Sequence, residues 1–362
     1  MKLSLLFIGN KFIFDKPLQE YIIRKIEEKN SFINSITYFK ENDKSLFLYL
    51  EQELNSENKT VIITTKQNFT TVGKLICTVT SDNQVLQDGM LIPQKSSVFE
   101  DASYLLEHKD SIVNVIHIDE MQKMPQVLLS TDTSNATIHL FGEEKEMILA
   151  MLNPIAQTYE VSLEIVKVVN QWFKIDISSK KYGNISKFIS AAKQLLPTNV
   201  ITASNIIQHI IVALSTHDKK LTFAESCTGG LLSYYFTKEN GASNILDGSL
   251  ITYSNELKEN WLGIEHSVIE KNGAVSSEVV KEMSEGALNV SHADYALSIS
   301  GIAGDTGGTV EKPVGTVYIG VKSETEQKES HLLFQGDRNY VQHQSALEAI
   351  KMLILIDKNV FF

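Results

Sequence analysis

The sequence predicts a multi-domain α/β protein, and three observations carry that prediction. At 362 residues the chain exceeds one ordinary compact domain and suits two or three. Apolar runs of strand length alternate with helical spacings through residues 1–133, the pattern of a mostly parallel sheet with helices on both faces. Glycine usage then divides the chain, with five of 19 before residue 220 and fourteen between Gly229 and Gly336. Glycine permits positive φ and close backbone approach, so the second half is where loops are expected to handle a ligand.

The elements follow in order. Leu3–Ile8 is an apolar run of strand length, and Pro17–Lys29 carries Leu18, Ile22 and Ile26 at helical spacing, with Pro17 suited to a first helical position. Ser35–Phe39 reads as a strand, Lys44–Leu54 as a helix, and Thr60–Thr64 and Ile112–Ile118 as further strands. These make a three-layer α/β domain over 1–133. Residues 134–196 form a smaller α+β module: a strand at Thr137–Leu140, a helix at Glu143–Leu152, a hairpin from Tyr159–Val169 and Trp172–Ile177, and a helix at Ile185–Leu196 stopped by Pro197. The third domain, 197–362, opens with a helix facing Ile207, Ile210, Ile211 and Leu214 to one side. A strand (Leu221–Ala224), a glycine turn and a helix (Leu231–Thr237) come next. Ser276 is placed to cap a helix whose Val279, Met283 and Ala287 share a stripe; strands at Tyr295–Ser300 and Thr316–Val321 and a helix at Val341–Ile356 complete the domain.

Composition narrows the function. With 43% hydrophobic and 21% charged residues the chain is a folded globular protein, neither disordered nor fibrous. Its net charge of −11 gives no global attraction to nucleic acid or anionic lipid. Two cysteines, Cys77 and Cys227, make no disulfide framework and suit a reducing compartment. The opening MKLSLLFI reads as a buried strand and not a signal peptide, and no run approaches the ~18 apolar residues of a membrane span. A cytoplasmic protein without membrane or nucleic-acid partners is expected.

Chemistry concentrates in Ala224-Glu225-Ser226-Cys227-Thr228-Gly229-Gly230, where a strand ends on a hydroxyl and turns through two glycines into a helix. Such a turn exposes a nucleophile beside the N–H groups of a helix start, which suit an oxyanion or a phosphate; the same residues also serve as an ordinary N-cap. Ser226 lies in neither a Gly-x-Ser-x-Gly elbow nor a Ser-x-x-Lys box, so neither motif supplies its base. Lys258, in Tyr253-Ser254-Asn255-Glu256-Leu257-Lys258, is either a solvated helix lysine or, if desolvated, a base for Ser226. Cys227 is expected to pack in the core, because neighbouring residues at a strand end point to opposite faces. Ser300-Gly301 opens a segment with five glycines in fifteen residues that matches neither a Walker A loop nor a dinucleotide fingerprint, so no nucleotide cofactor is implied. Arg338 follows Gly336-Asp337 and offers a guanidinium for an anion. No metal-ligand spacing of His, Cys, Asp and Glu occurs in this region, and neither a metal nor a cofactor is expected.

Five blocks, AESCTGG at 224–230, TYSNELKENWLGI at 252–264, NGAVSSEVVKEM at 272–283, SGIAGDTGGTVEKPVGTVYIGV at 300–321 and FQGDR at 334–338, resemble in order and spacing the C-terminal domain of the CinA family of competence/damage-inducible proteins. The resemblance implies an amidase domain converting nicotinamide mononucleotide (NMN) to nicotinate mononucleotide and ammonia. It implies Ser226 as nucleophile, Lys258 and Tyr253 as its activating partners, and Thr228, Gly229, Gly230, Ser300, Gly301 and Arg338 as substrate-binding residues. The family usually has threonine where Ser300 stands, so a hydroxyl is retained. It also implies a homo-oligomer, expected to be a dimer, and a KH-like linker at 134–196.

Residues 1–133 resemble the molybdopterin-binding-like domain that precedes this amidase domain, which the family associates with metal-dependent ADP-ribose hydrolysis. The family's Thr-Gly-Gly-Leu-Gly-Pro-Thr segment and its two following aspartates are here replaced by Thr64-Thr65-Lys66-Gln67-Asn68-Phe69-Thr70-Thr71-Val72-Gly73, and its Gly-Thr-Glu by Gly9-Asn10-Lys11. A scaffold inactive on ADP-ribose is expected. The readings set against an NMN amidase are an idle nucleotide-sensing or competence-related interaction protein, and an ADP-ribose hydrolase.

Overall fold

The computed structural model describes residues 2–29, 33–118, 123–129, 135–179 and 182–362. The chain divides into two compact units, Met1–Asn135 and Ala136–Phe362; the expected boundary at 133/134 lies outside the described residues.

In the first unit β1 (Lys2–Ile8), β2 (Ser35–Phe39), β3 (Asn58–Thr64), β4 (Gln84–Gln87), β5 (Met90–Pro93), β6 (Ser96–Glu100), β7 (Ser103–His108) and β8 (Ser111–His117) follow one another. Six of them form a sheet in the order β2-β1-β3-β8-β7-β6, while β4 and β5 pair apart. β2, β1, β3 and β8 run parallel, whereas β7 and β6 fold back antiparallel on the edge. Strand alternation sends Leu6, Ile8, Ile62 and Val115 to one face, against Leu50, Phe69, Val72 and Ile76. Leu5, Phe7, Val61 and Ile63 go to the other, against Phe12, Ile22 and Ile26. Burial on both faces is why these strands read as continuous apolar runs.

The segment in which the family carries its glycine-rich loop is instead helical over Lys66–Thr80. Thr65 caps it in extended conformation, and Phe69, Val72 and Ile76 form a buried stripe. Phe69 lies edge-on to Tyr104, with centroids 5.3 Å apart, and to His117 at 4.9 Å. A core stripe thus stands where a phosphate-cradling loop would need open backbone. Incubation with ADP-ribose and a divalent cation is expected to yield no AMP above the protein-free control; rapid AMP formation would contradict this.

The second unit holds two sheets. The smaller comprises β9 (Asn135–Phe141), β10 (Val161–Val169), β11 (Trp172–Ser179) and β12 (Val200–Thr202), ordered β10-β11-β9-β12. β10 and β11 form the expected antiparallel hairpin, and Ile148, Leu152, Phe188 and Ala192 from helices Lys145–Thr158 and Ile185–Leu195 cover the sheet. β12 pairs with β9, so this sheet draws on residues beyond 196. The helix expected to end at Leu152 continues through Pro154 to Thr158, with Ala156 still packed in the core.

The larger sheet comprises β13 (Leu221–Glu225), β14 (Leu246–Ile251), β15 (Tyr295–Gly301), β16 (Thr316–Lys322) and β17 (Gln327–Leu333), ordered β14-β13-β15-β16-β17. The first three in that order are parallel, and β16 and β17 are antiparallel. Leu221, Phe223, Leu297, Ile299, Val317 and Ile319 face the helices Ile206–Thr216, Leu231–Thr237 and Arg338–Ile356. Ala224 and Ala296 face Leu262, Val279, Val280 and Met283 of helices Asn255–Leu262 and Ser277–Ser291. Gly286 admits the close crossing of these two helices, since a Cβ there would collide with the Leu262 carbonyl. Ser276 accepts from Val279 N–H as expected. The carboxyl ends of β13, β14 and β15 open at the same edge, where open α/β sheets place ligands.

Candidate active site

Strand β13 ends at Glu225, opposite Ile251 of β14, so the residues that follow each strand meet. Ser226 donates its backbone N–H to Ile299 O at 2.9 Å, and Thr252 donates its own to Glu225 O at 2.9 Å. Ser254 then caps the helix Asn255–Leu262 by accepting from Leu257 N–H at 3.2 Å. One turn in, Lys258 points inward with Leu262 and is 1% exposed. Its Nζ donates to Thr252 O at 2.7 Å and to Ser226 Oγ at 3.1 Å.

Electrostatics set the character of this pair. Among the described residues no carboxylate forms an ion pair with Lys258, and burial lowers its pKa from 10.5 to about 8. A lysine kept from water without a counter-charge loses its proton far more readily than a solvated one. In the neutral amine the Thr252 carbonyl still takes one N–H, and the lone pair can accept the Ser226 hydroxyl proton across the same 3.1 Å contact. Cys227 is buried in the core, and burial pushes its thiol up to about 12, which removes it as a competing nucleophile near neutrality.

The turn after Ser226 is organised differently from the sequence expectation. Gly229 (φ +58°) and Gly230 (φ +99°) adopt positive φ, but their N–H groups are already used. Gly229 donates to Ser226 O at 3.1 Å and Gly230 to the Glu225 carboxyl at 3.0 Å. Leu232 and Ser233 N–H also donate to Glu225, at 3.0 and 2.9 Å, as does the Ser249 hydroxyl at 3.2 Å. The helix start is therefore capped from within and does not offer those amides to a ligand. The Cys227 and Thr228 N–H groups remain outside the backbone bonding of the turn, and the buried Thr228 hydroxyl is without a partner among the described residues. No neighbouring group lies within 4 Å of a Cβ built on Gly229, so the space above the turn is open.

The other expected site residues lie as follows. The Tyr253 hydroxyl bonds neither Lys258 nor Ser226; it accepts from Arg338 Nη2 at 2.7 Å, and the tyrosine is 58% exposed. Alternation explains this, because the buried Thr252 precedes it and the ring faces the opposite way. Ser300 is buried and gives its hydroxyl to Ala274 O at 2.7 Å, a bond that ties the end of β15 to the 272–276 segment. Gly301 allows Cys227 to pack closely: a Cβ there would stand 3.1 Å from the Cys227 Sγ and 2.9 Å from the Thr316 carbonyl. Arg338 lies at the start of the last long helix and reaches across Gly304, where a Cβ would meet Nη1 at 2.9 Å.

Comparison with known proteins identifies the family of this chain. The CinA C-terminal domain family matches residues 203–356, which span Ser226, Lys258 and Arg338. A competence-damage inducible protein of Clostridium beijerinckii is 31% identical over 337 residues, covering 91% of this chain and 77% of the relative. The chain belongs to the CinA family. A CinA-like protein of Thermotoga maritima is 45% identical over 148 residues, covering 41% of this chain, a match that spans 36% of that relative's length. The crystal structure of the competence/damage inducible protein CihA from Agrobacterium tumefaciens shares 32% identity over 42% of this chain and 93% of its own, with a TM-score of 0.41.

Within this CinA domain two residues escaped the sequence reading. Glu225 organises the turn but reads in sequence as a charged strand end. Gln342 donates Nε2–H to Cys227 O at 2.7 Å from 115 positions away, and no local pattern signals it.

Proposed function

We propose that the chain hydrolyses the carboxamide of NMN to nicotinate mononucleotide and ammonia. The observation that carries this reading is a buried lysine, without a carboxylate partner among the described residues, 3.1 Å from a serine hydroxyl at a strand end. The choice of NMN rests on the CinA resemblance, and the reaction type on the site. Ser226 Oγ gives its proton to the neutral Lys258 amine and bonds to the carboxamide carbon. The Cys227 and Thr228 N–H groups are the amides beside that oxygen suited to an oxyanion. Collapse breaks the C–N bond, the departing nitrogen takes the proton from Lys258, and ammonia leaves. Water, deprotonated by the same amine, then cleaves the Ser226 ester and releases the acid. Arg338 supplies the positive charge for the ribose phosphate, so that remote binding orients the amide.

Ammonia release from NMN is the direct test. Ser226→Ala is expected to lower its rate at least roughly a thousandfold. An undiminished rate would remove the serine route.

A further inference from the structure

The contact between Tyr253 and Arg338 joins the segment after β14 to the start of the last long helix, 85 residues on in the chain. On one side of it, the tyrosine follows Thr252, whose carbonyl holds the Lys258 amine at 2.7 Å. On the other, the guanidinium lies over Gly304 in the glycine-rich segment, so close that a Cβ there would stand 2.9 Å from Nη1. The 2.7 Å bond takes one N–H of Nη2, and a guanidinium has five N–H donors in a fixed fork. A guanidinium that donates to one hydroxyl and lies close over Gly304 keeps its remaining donors aimed at one place, which a bidentate anion rewards. Arg338 is otherwise a long side chain at a helix start, and ordering it on binding would cost affinity. Tyr253, by contrast, makes no hydrogen bond to Ser226 or Lys258.

We propose that Tyr253 is a positioning residue for the anion-binding Arg338, setting preference for a phosphorylated substrate without activating Ser226. The naming of that substrate rests on the reading above, but the anion preference does not. Removing the hydroxyl frees the guanidinium, weakens recognition of a phosphate, and leaves the amide chemistry as it was.

The test uses the full chain and its Tyr253→Phe variant. Calorimetric binding of ribose 5-phosphate, with ribose as control, is read beside the kinetics of NMN and of nicotinamide riboside, the same amide without phosphate. Tyr253→Phe is expected to weaken ribose 5-phosphate binding roughly tenfold and to raise KM for NMN by a similar factor. Its kcat, the pH at which activity rises, and the kinetics with nicotinamide riboside are expected to hold within about twofold. Equal binding of ribose 5-phosphate by both proteins, or none by the wild type, would overturn the inference. So would a fall in kcat shared by both amides, which would make Tyr253 an activating residue. If the wild type leaves NMN intact while Tyr253→Phe still weakens ribose 5-phosphate binding, the amidase reading fails and the anion-positioning role stands.

Discussion

Replacing Lys258 with methionine is expected to abolish ammonia release from NMN while leaving the folded protein at least as stable as wild type. Loss of the base should reduce kcat by about a thousandfold or more. Stability should move the other way, because the lysine is buried without a counter-charge and methionine fills the same volume at no cost in desolvation. The pH dependence carries a definite sign. With a folded value of about 8 against 10.5 for the free side chain, the unfolded chain binds one more proton between those limits. Stability from this group therefore rises with pH from 8 to 10.5 and is level on either side. The advantage of Lys258→Met in thermal melts should be greatest below pH 8 and shrink toward pH 10.5. The wild-type kcat/KM for NMN should climb through pH 8 and then plateau, as expected when a neutral amine is the active form. A variant that melts far below wild type at pH 7 would show that the lysine is a structural anchor.

The second large effect is expected at Glu225. Its side chain accepts from Gly230, Leu232 and Ser233 N–H and from the Ser249 hydroxyl, all beneath the turn that carries Ser226. Glu225→Ala leaves those donors without an acceptor in a dry site, and each such loss costs about 1–3 kcal/mol. Urea unfolding should show a loss of at least about 3 kcal/mol, with little or no activity in the protein that remains folded. Glu225→Gln keeps one acceptor oxygen but turns an N–H₂ group toward backbone donors, so its loss should fall between wild type and alanine. An alanine variant as stable as wild type would mean that water satisfies the helix start.

Where the sequence succeeded and where it failed both have local causes. β1, β3 and β13 were legible because burial on both faces demands unbroken apolar runs. The edge strands β6 and β17, half exposed, carry no such run. The helix Lys66–Thr80 was missed because comparison with a glycine-rich loop masked the stripe of Phe69, Val72 and Ile76. At the site, Ser226 and Lys258 were each visible as chemistry, yet their meeting depends on β13 and β14 lying side by side in parallel. Tyr253 was assigned to Ser226 through the family resemblance, and its hydroxyl instead accepts from Arg338, a contact between residues 85 positions apart that no local pattern signals. The availability of amides after Ser226 could not be judged without knowing that Glu225 folds back under its own helix.

The most direct measurement is an NMR titration of the Lys258 side-chain amine, assigned by comparison with the Lys258→Met variant. The account predicts a midpoint near pH 8, in keeping with burial of an unpaired amine beside Ser226. A midpoint near 10.5, the value of a solvated lysine, would mean that the amine is charged at working pH and cannot take the serine's proton.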